Sequence, residues 1–142
     1  MQPEERAFLE RARVGRLATV DDGARPHVVP ICYALPDGSR LVSAVDEKPK
    51  STRELRRVRN VRSNPRVAVV VDRYVEDWAR LAWVQVRGRA TVLESDAADH
   101  DAAVSALETK YDQYADHDLS ERPVLEIEIG STVSWGSLDG VP

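Results

Sequence analysis

The chain predicts a mainly β protein: a small antiparallel barrel of six or seven strands, decorated by helices. Three observations carry this expectation. Short runs rich in β-branched residues recur at hairpin spacing. Turn residues separate them, as in Asp21-Asp22-Gly23 and Pro36-Asp37-Gly38. Helical periodicity appears in only two or three segments. Closing such strands into a barrel removes their exposed edges; an open α+β sandwich is the alternative.

Residues 3–12 read as a short amphipathic helix with Ala7, Phe8, Leu9 and Ala12 inward. Gly15 opens a strand through Val20, and Asp21 to Ala24 form a hairpin turn. A second strand is expected from Pro26 to Ala34, and a third over Arg40–Val45, the three forming a meander. Ser51-Thr52-Arg53-Glu54 has the form of a capping box, with Ser51 at the N-cap. Leu55, Val58 and Val61 continue at helical spacing until Asn64-Pro65 ends the helix. Arg66–Asp72 is a strand of the fully buried type, and Tyr74–Arg80 a polar loop. Leu81–Leu93 is a long strand with a bulge expected at Gly88. A helix follows from Asp96 to about Tyr111, with Ala98, Ala102 and Leu107 among its apolar positions. Val124–Ile129 alternates as a strand, and Thr132–Trp135 is a last short one.

At 142 residues with 42% hydrophobic residues, the chain suits one domain spanning 1–142. No apolar run approaches the roughly 18 residues of a membrane helix, and the charged first 13 residues are unlike a signal peptide. The expected location is cytoplasmic. One cysteine, Cys32, cannot form an internal disulfide or a cysteine-based zinc site. His27, His100 and His117 have no metal-ligand spacing, so no metal is expected. The latter two read as surface groups.

Charge is unevenly placed. The net charge is −4, yet residues 48–66 hold eight cationic side chains and one anionic. That segment therefore carries +7 and the remainder −11. A duplex-binding surface usually comes with a basic domain, so nucleic acid is not the expected partner; one small anion fits better. Helix N-termini present unpaired N–H groups to anions. Lys48, Lys50, Ser51, Thr52 and Arg53 stand at the expected helix start, and Arg56, Arg57 and Asn60 can continue the stripe. Arg59, Arg62 and Arg66 read as ordinary surface charges. No nucleophile–base pair has recognisable local spacing, so no catalytic residue is assigned. His27 and Asp77 are further candidates for contact with a ligand, and Cys32 reads as a small core residue.

The order of these parts resembles a known superfamily. Arg25 to Ile31 (RPHVVPI), Leu41 to Val45 (LVSAV), Lys48 to Arg53 (KPKSTR), Asn64 to Asp72 (NPRVAVVVD) and Val84 to Val92 (VQVRGRATV) follow one another as in the flavin-binding split β-barrel, or pyridoxamine 5′-phosphate oxidase-like, superfamily. The resemblance covers roughly residues 5–135. The stretch Asp46–Arg53, the loop Tyr74–Trp78 and the strand Trp83–Gly88 are most similar to the branch that uses the deazaflavin coenzyme F-420.

The resemblance implies a homodimer with cofactor at the subunit interface and a small-molecule substrate. It places Lys48, Lys50, Ser51 and Thr52 near the cofactor phosphate. The backbone of Val28, Val29, Pro30 and Ile31 would lie against the ring. Trp78, Trp83 or Trp135 would close the pocket. It implies hydride transfer between reduced F-420 and a small conjugated acceptor. No arginine follows Trp135, unlike the Arg-Leu-x-Pro segment that closes pyridoxamine phosphate oxidases, which argues against vitamin-B6 oxidase activity. A flavin mononucleotide (FMN) oxidoreductase and a non-catalytic flavin, F-420 or haem binder remain open on the same fold. An extended arginine stripe suits the polyglutamate tail of F-420 better than compact FMN.

Overall fold

The computed structural model describes residues 1–45 and 55–139. Seven strands form one antiparallel sheet: β1 (Gly15–Val20), β2 (Pro26–Ile31), β3 (Ala34–Asp37), β4 (Arg40–Ala44), β5 (Arg66–Arg73), β6 (Ala82–Leu93) and β7 (Val124–Gly136). Three helices accompany it: α1 (Pro3–Arg11), α2 (Arg56–Ser63) and α3 (His100–Lys110). The mainly β architecture with helical additions is as expected.

The spatial order is β2-β1-β5-β6-β7-β4-β3, which corrects the expected meander. The apolar run from Pro26 to Ala34 is not one strand. It breaks at Cys32-Tyr33, sending β2 to one end of the sheet and β3 to the other. Tyr33 explains the break. Its side chain is fully buried, its hydroxyl donates to Leu9 O (2.5 Å), and its N–H donates to the Tyr111 hydroxyl (3.0 Å). These anchors lie 24 and 78 residues away. They replace the ladder bonds that the chain would otherwise make there.

The long pair β6–β7 forms the spine. Thr132–Trp135 is not a separate strand, because β7 runs unbroken for 13 residues. The bulge falls where expected, between Arg87 and Gly88, but the extra residue is Gly130 on β7. Gly88 is required by close approach: a Cβ there would sit 2.2 Å from Glu128 O.

Alternation along the strands sorts residues between two faces. Leu17, Val67, Val69, Val71, Val84, Val86, Leu125 and Ile127 build the main core with Phe8 and Leu9 of α1 and Val58 and Val61 of α2. A second core joins α3 to β3 and β4 through Ala34, Val42, Val104 and Leu107. The face of α3 is also corrected. The helix starts at His100 rather than Asp96, and Ala98 and Ala102 are exposed. His100 is buried at 1% exposure and its Nε2 lies 2.6 Å from Arg122 O, which turns residues 100, 103, 104 and 107 inward.

The opposite sheet face stays open. Val28, Val133 and Trp135 are exposed on it, and Trp83 stands opposite Trp135 across β6–β7.

Candidate functional site

Helix α2 carries the basic stripe, but it begins at Arg56 with Leu55 in extended conformation at its N-cap (φ −60°, ψ 150°). The capping box Ser51-Thr52-Arg53-Glu54 lies outside the described residues, as do Lys48 and Lys50.

What α2 does with its cations differs from a solvated stripe. Val58 and Val61 pin it to the main core, and that orientation takes Arg57 and Asn60 inward with them, at 8% and 3% exposure. Arg56, Arg59 and Arg62 stay exposed. Arg62 pairs with Glu94 at 3.0 Å on the surface, an arrangement worth roughly 0–1 kcal/mol. The stripe is thus divided rather than continuous.

Asn60 is held by β1: its amide donates to Thr19 Oγ1 at 3.0 Å. Arg57 is held less completely. Among the described residues, two buried side-chain polar atoms have no hydrogen-bond partner: Arg57 Nε and His27 Nδ1. Buried polar groups are normally satisfied, and leaving one unmade costs about 1–3 kcal/mol. Each of these two residues lines a cavity beside α2.

The cavity at Arg57 has a volume near 230 Å³ and is walled by Val14, Pro30, Ile31, Cys32, Ser43, Ala44 and Tyr114. Its wall takes residues from the end of β2, from Cys32 in the break between β2 and β3, and from the end of β4. The cavity at His27, near 320 Å³, is walled by Asp21, Arg25, Pro26, Arg56 and Asn60. A larger one, near 420 Å³, lies between α1 and the end of β5, with Phe8, Arg11, Arg13, Asp72, Arg73 and Tyr74 in its wall. Val14 belongs to both this cavity and the one at Arg57.

Strand β2 suits contact with a flat ligand. It is an outer strand of the sheet, and Pro26 and Pro30 have no N–H to lose from a ladder. Val28 and Pro30 are exposed, Val29 is half-buried and Ile31 belongs to the core. Of the residues expected to hold a cofactor, Pro30, Ile31 and Arg57 therefore meet at one cavity, with Asn60 at the next.

The tryptophans do not join them within this chain. Trp78 sits in a turn of 3₁₀ helix over Trp78–Arg80, 68% exposed, its indole N–H 3.4 Å from the Tyr74 hydroxyl. Asp77 does not line any of these cavities; its carboxylate accepts from Ala79 N and caps that turn. Trp83 and Trp135 stand on the open sheet face.

Sequence reasoning missed two groups. Arg73 is buried under Phe8, with its guanidinium donating to the carbonyl oxygens of Arg80 (2.9 Å) and Ser137. Lys110 Nζ lies 3.9 Å from the Tyr33 ring centroid and donates to Leu9 O at 3.3 Å. Burial, reinforced by nearby Arg13, lowers its ammonium to about 8. Burial also pushes the Tyr33 and Tyr111 hydroxyls up. No local pattern marks either cation; both are defined by distant backbone carbonyls. His100, expected at the surface, is the buried strut described above.

Comparison with known proteins agrees with this fold. A FAD-binding protein from Mesorhizobium loti is 30% identical, with 90% of this chain and 87% of that chain covered and a TM-score of 0.65. A conserved hypothetical protein from Mycobacterium tuberculosis is 24% identical over 100% of this chain and 89% of its own, with a TM-score of 0.74. A heme binding protein from Mycobacterium smegmatis is 21% identical, with a TM-score of 0.73; 99% of this chain covers 57% of that one. A search among curated proteins returns no match. The sequence profile of pyridoxamine 5′-phosphate oxidase matches residues 1–136, and the chain belongs to that family.

Proposed function

We propose that this protein is a coenzyme F-420-dependent oxidoreductase that acts on a small conjugated organic acceptor. One observation carries the reading: the two residues with unpartnered buried polar atoms, Arg57 (Nε) and His27 (Nδ1), each line a cavity that α2 helps to wall. A fold that leaves a buried guanidinium nitrogen unsatisfied is completed by an anionic or hydrogen-bonding ligand. The residues present fit a phosphorylated ring cofactor. When bound, the deazaflavin supplies the hydride.

This chain's residues do the rest. Arg57 accepts anionic charge at the cavity, and Pro30 and Ile31 provide a flat apolar wall. The +7 of residues 48–66 attracts a long polyanion, with Lys48, Lys50, Ser51, Thr52 and Arg53 assigned to the phosphate. His27 offers a ring nitrogen to the ligand in the neighbouring cavity. Two copies pair through the open sheet face, bringing Trp78, Trp83 and Trp135 toward the partner's site. The proposed location is the cytoplasm; no helix among the described residues is long and apolar enough to cross a membrane.

A second reading is supported by the 30% identity to a FAD-binding protein: a flavin, FMN or FAD, in the same cavities. Titration of purified protein with F-420, FMN, FAD and haem, followed by fluorescence or absorbance, separates the readings. The F-420 reading expects tight F-420 binding and oxidation of reduced F-420 by an enone or quinone. Tight flavin binding with none of F-420 refutes it. Binding of F-420 without turnover across a panel of acceptors leaves a carrier in its place.

A further inference from the structure

Cys32 lies at the break between β2 and β3, and its side chain is exposed. It belongs to the wall of the cavity that Arg57 lines. The surroundings hold it in place. Ser43 Oγ donates to the Cys32 carbonyl at 2.7 Å, and the next residue, Tyr33, donates its N–H to the Tyr111 hydroxyl at 3.0 Å. The Lys110 ammonium is set over the Tyr33 ring, 3.9 Å from its centroid. The exposure of Cys32 makes its thiol accessible to a small reagent, and the thiolate is the nucleophile in thiol–disulfide exchange. The same cavity wall carries Arg57, 8% exposed, with its Nε unpartnered among the described residues. A nucleophile and an unsatisfied cation therefore share one small cavity.

We propose that Cys32 is a modification site that forms a mixed disulfide with an anionic low-molecular-weight thiol, whose acidic group is received by Arg57. The Cys32 thiolate attacks one sulfur of the small disulfide. The S–S bond of the reagent breaks, a Cys32–S–S–R bond forms, and the other half leaves as a thiolate that solvent protonates. The small disulfide is the oxidant, and its departing half carries the electron pair. The adduct occupies the cavity beside Pro30 and Ile31 and so excludes the cofactor. This last consequence rests on the functional reading above.

The test uses the purified chain and three reagents: glutathione disulfide (anionic), cystamine (cationic) and 2,2′-dithiodipyridine (neutral). Adduct formation is followed by intact mass, with each rate divided by that of free N-acetylcysteine amide. The anionic reagent is expected to exceed the cationic one by on the order of tenfold in this normalised rate. Arg57→Gln brings the ratio near one while the neutral reagent still reacts. If that variant does not fold, raising salt on the unsubstituted protein gives the same readout, through partial loss of the preference. Failure of the neutral reagent to modify native protein, or an anion preference indifferent to both Arg57→Gln and salt, overturns the proposal. Adducted protein should lose cofactor binding, whereas Cys32→Ser is insensitive to the same treatment. An adduct that leaves cofactor affinity unchanged refutes its placement in the cofactor cavity. If neither F-420 nor flavin binds the untreated protein, the functional reading fails, while the charge preference still decides the modification site.

Discussion

Replacing Arg57 by leucine should stabilise the protein alone and weaken it as a binder. The side chain is 8% exposed, and its Nε has no partner among the described residues. An unmade buried hydrogen bond costs about 1–3 kcal/mol, and leucine removes that cost while keeping apolar contact with the core around Val58 and Val61. A net gain near 1 kcal/mol is worth about 2–4 °C in Tm for a domain of this size. The ligand arm runs the other way. A charge-assisted hydrogen bond contributes about 1.5–3 kcal/mol, so Arg57→Leu should raise the cofactor Kd roughly 10- to 150-fold. Thermal unfolding without cofactor measures the first effect, and fluorescence titration with F-420 and FMN the second. A variant that melts several degrees lower yet binds cofactor as before would show Arg57 to be a structural strut, refuting the reasoning.

Three further perturbations probe other parts of the molecule. Gly88→Ala should cost about 3 kcal/mol or more, because its Cβ would meet Glu128 O at 2.2 Å, whereas Gly130→Ala, 3.5 Å from Arg87 O, should stay within about 1 kcal/mol; equal denaturation midpoints would contradict this. Trp135→Glu should convert a dimer into a monomer by sedimentation analysis and weaken cofactor binding with it; a monomeric unsubstituted protein, or a variant that stays dimeric, argues against pairing through the open sheet face. Lys110 titrates near 8 when folded, below its ordinary 10.5, so between these values the unfolded chain binds more protons and stability rises with pH. Lys110→Met should lose that rise, seen as a smaller gain in chemical stability from pH 7 to pH 10; identical pH profiles would contradict the assignment.

The strands, the helices and the Gly88 bulge were readable because each is set by local pattern. The break at Cys32-Tyr33 was not. Pro26 to Ala34 reads as one β-rich run, and only Leu9 O and the Tyr111 hydroxyl, both distant in sequence, pull Tyr33 out of it. The break matters, because it separates β2 from β3 and places Cys32 in the wall of the cavity at Arg57. The site was half legible in the same sense. A run of arginines on a helix start reads as an anion site, but Arg56, Arg57 and Arg59 look alike in sequence. Which one turns inward is decided by Val58 and Val61 docking on the core. The capping box Ser51-Thr52-Arg53-Glu54 lies outside the described residues, and within them Leu55 adopts the N-cap conformation of α2.

The two buried arginines show how the fold treats a cation it owns and one it lends. Arg73 is answered from within: carbonyl oxygens of Arg80 and Ser137 receive its guanidinium, and Phe8 covers it. Arg57 could have been answered in the same way. Among the described residues no acceptor reaches its Nε; the cavity wall beside it combines Val14, Pro30 and Ile31 with Cys32, Ser43 and Tyr114. Desolvating an arginine without supplying its acceptor is unfavourable for folding, and it is favourable for binding once an anion arrives in a site that has already excluded water. His27 Nδ1 is likewise unpartnered, and His27 lines the cavity that Arg56 and Asn60 of α2 also wall. Among the described residues, the unpartnered buried polar atoms therefore belong to residues of the two proposed cofactor cavities, while Arg73, in the wall of the cavity between α1 and β5, is satisfied. That distribution is what a binding site predicts and what a merely imperfect core does not.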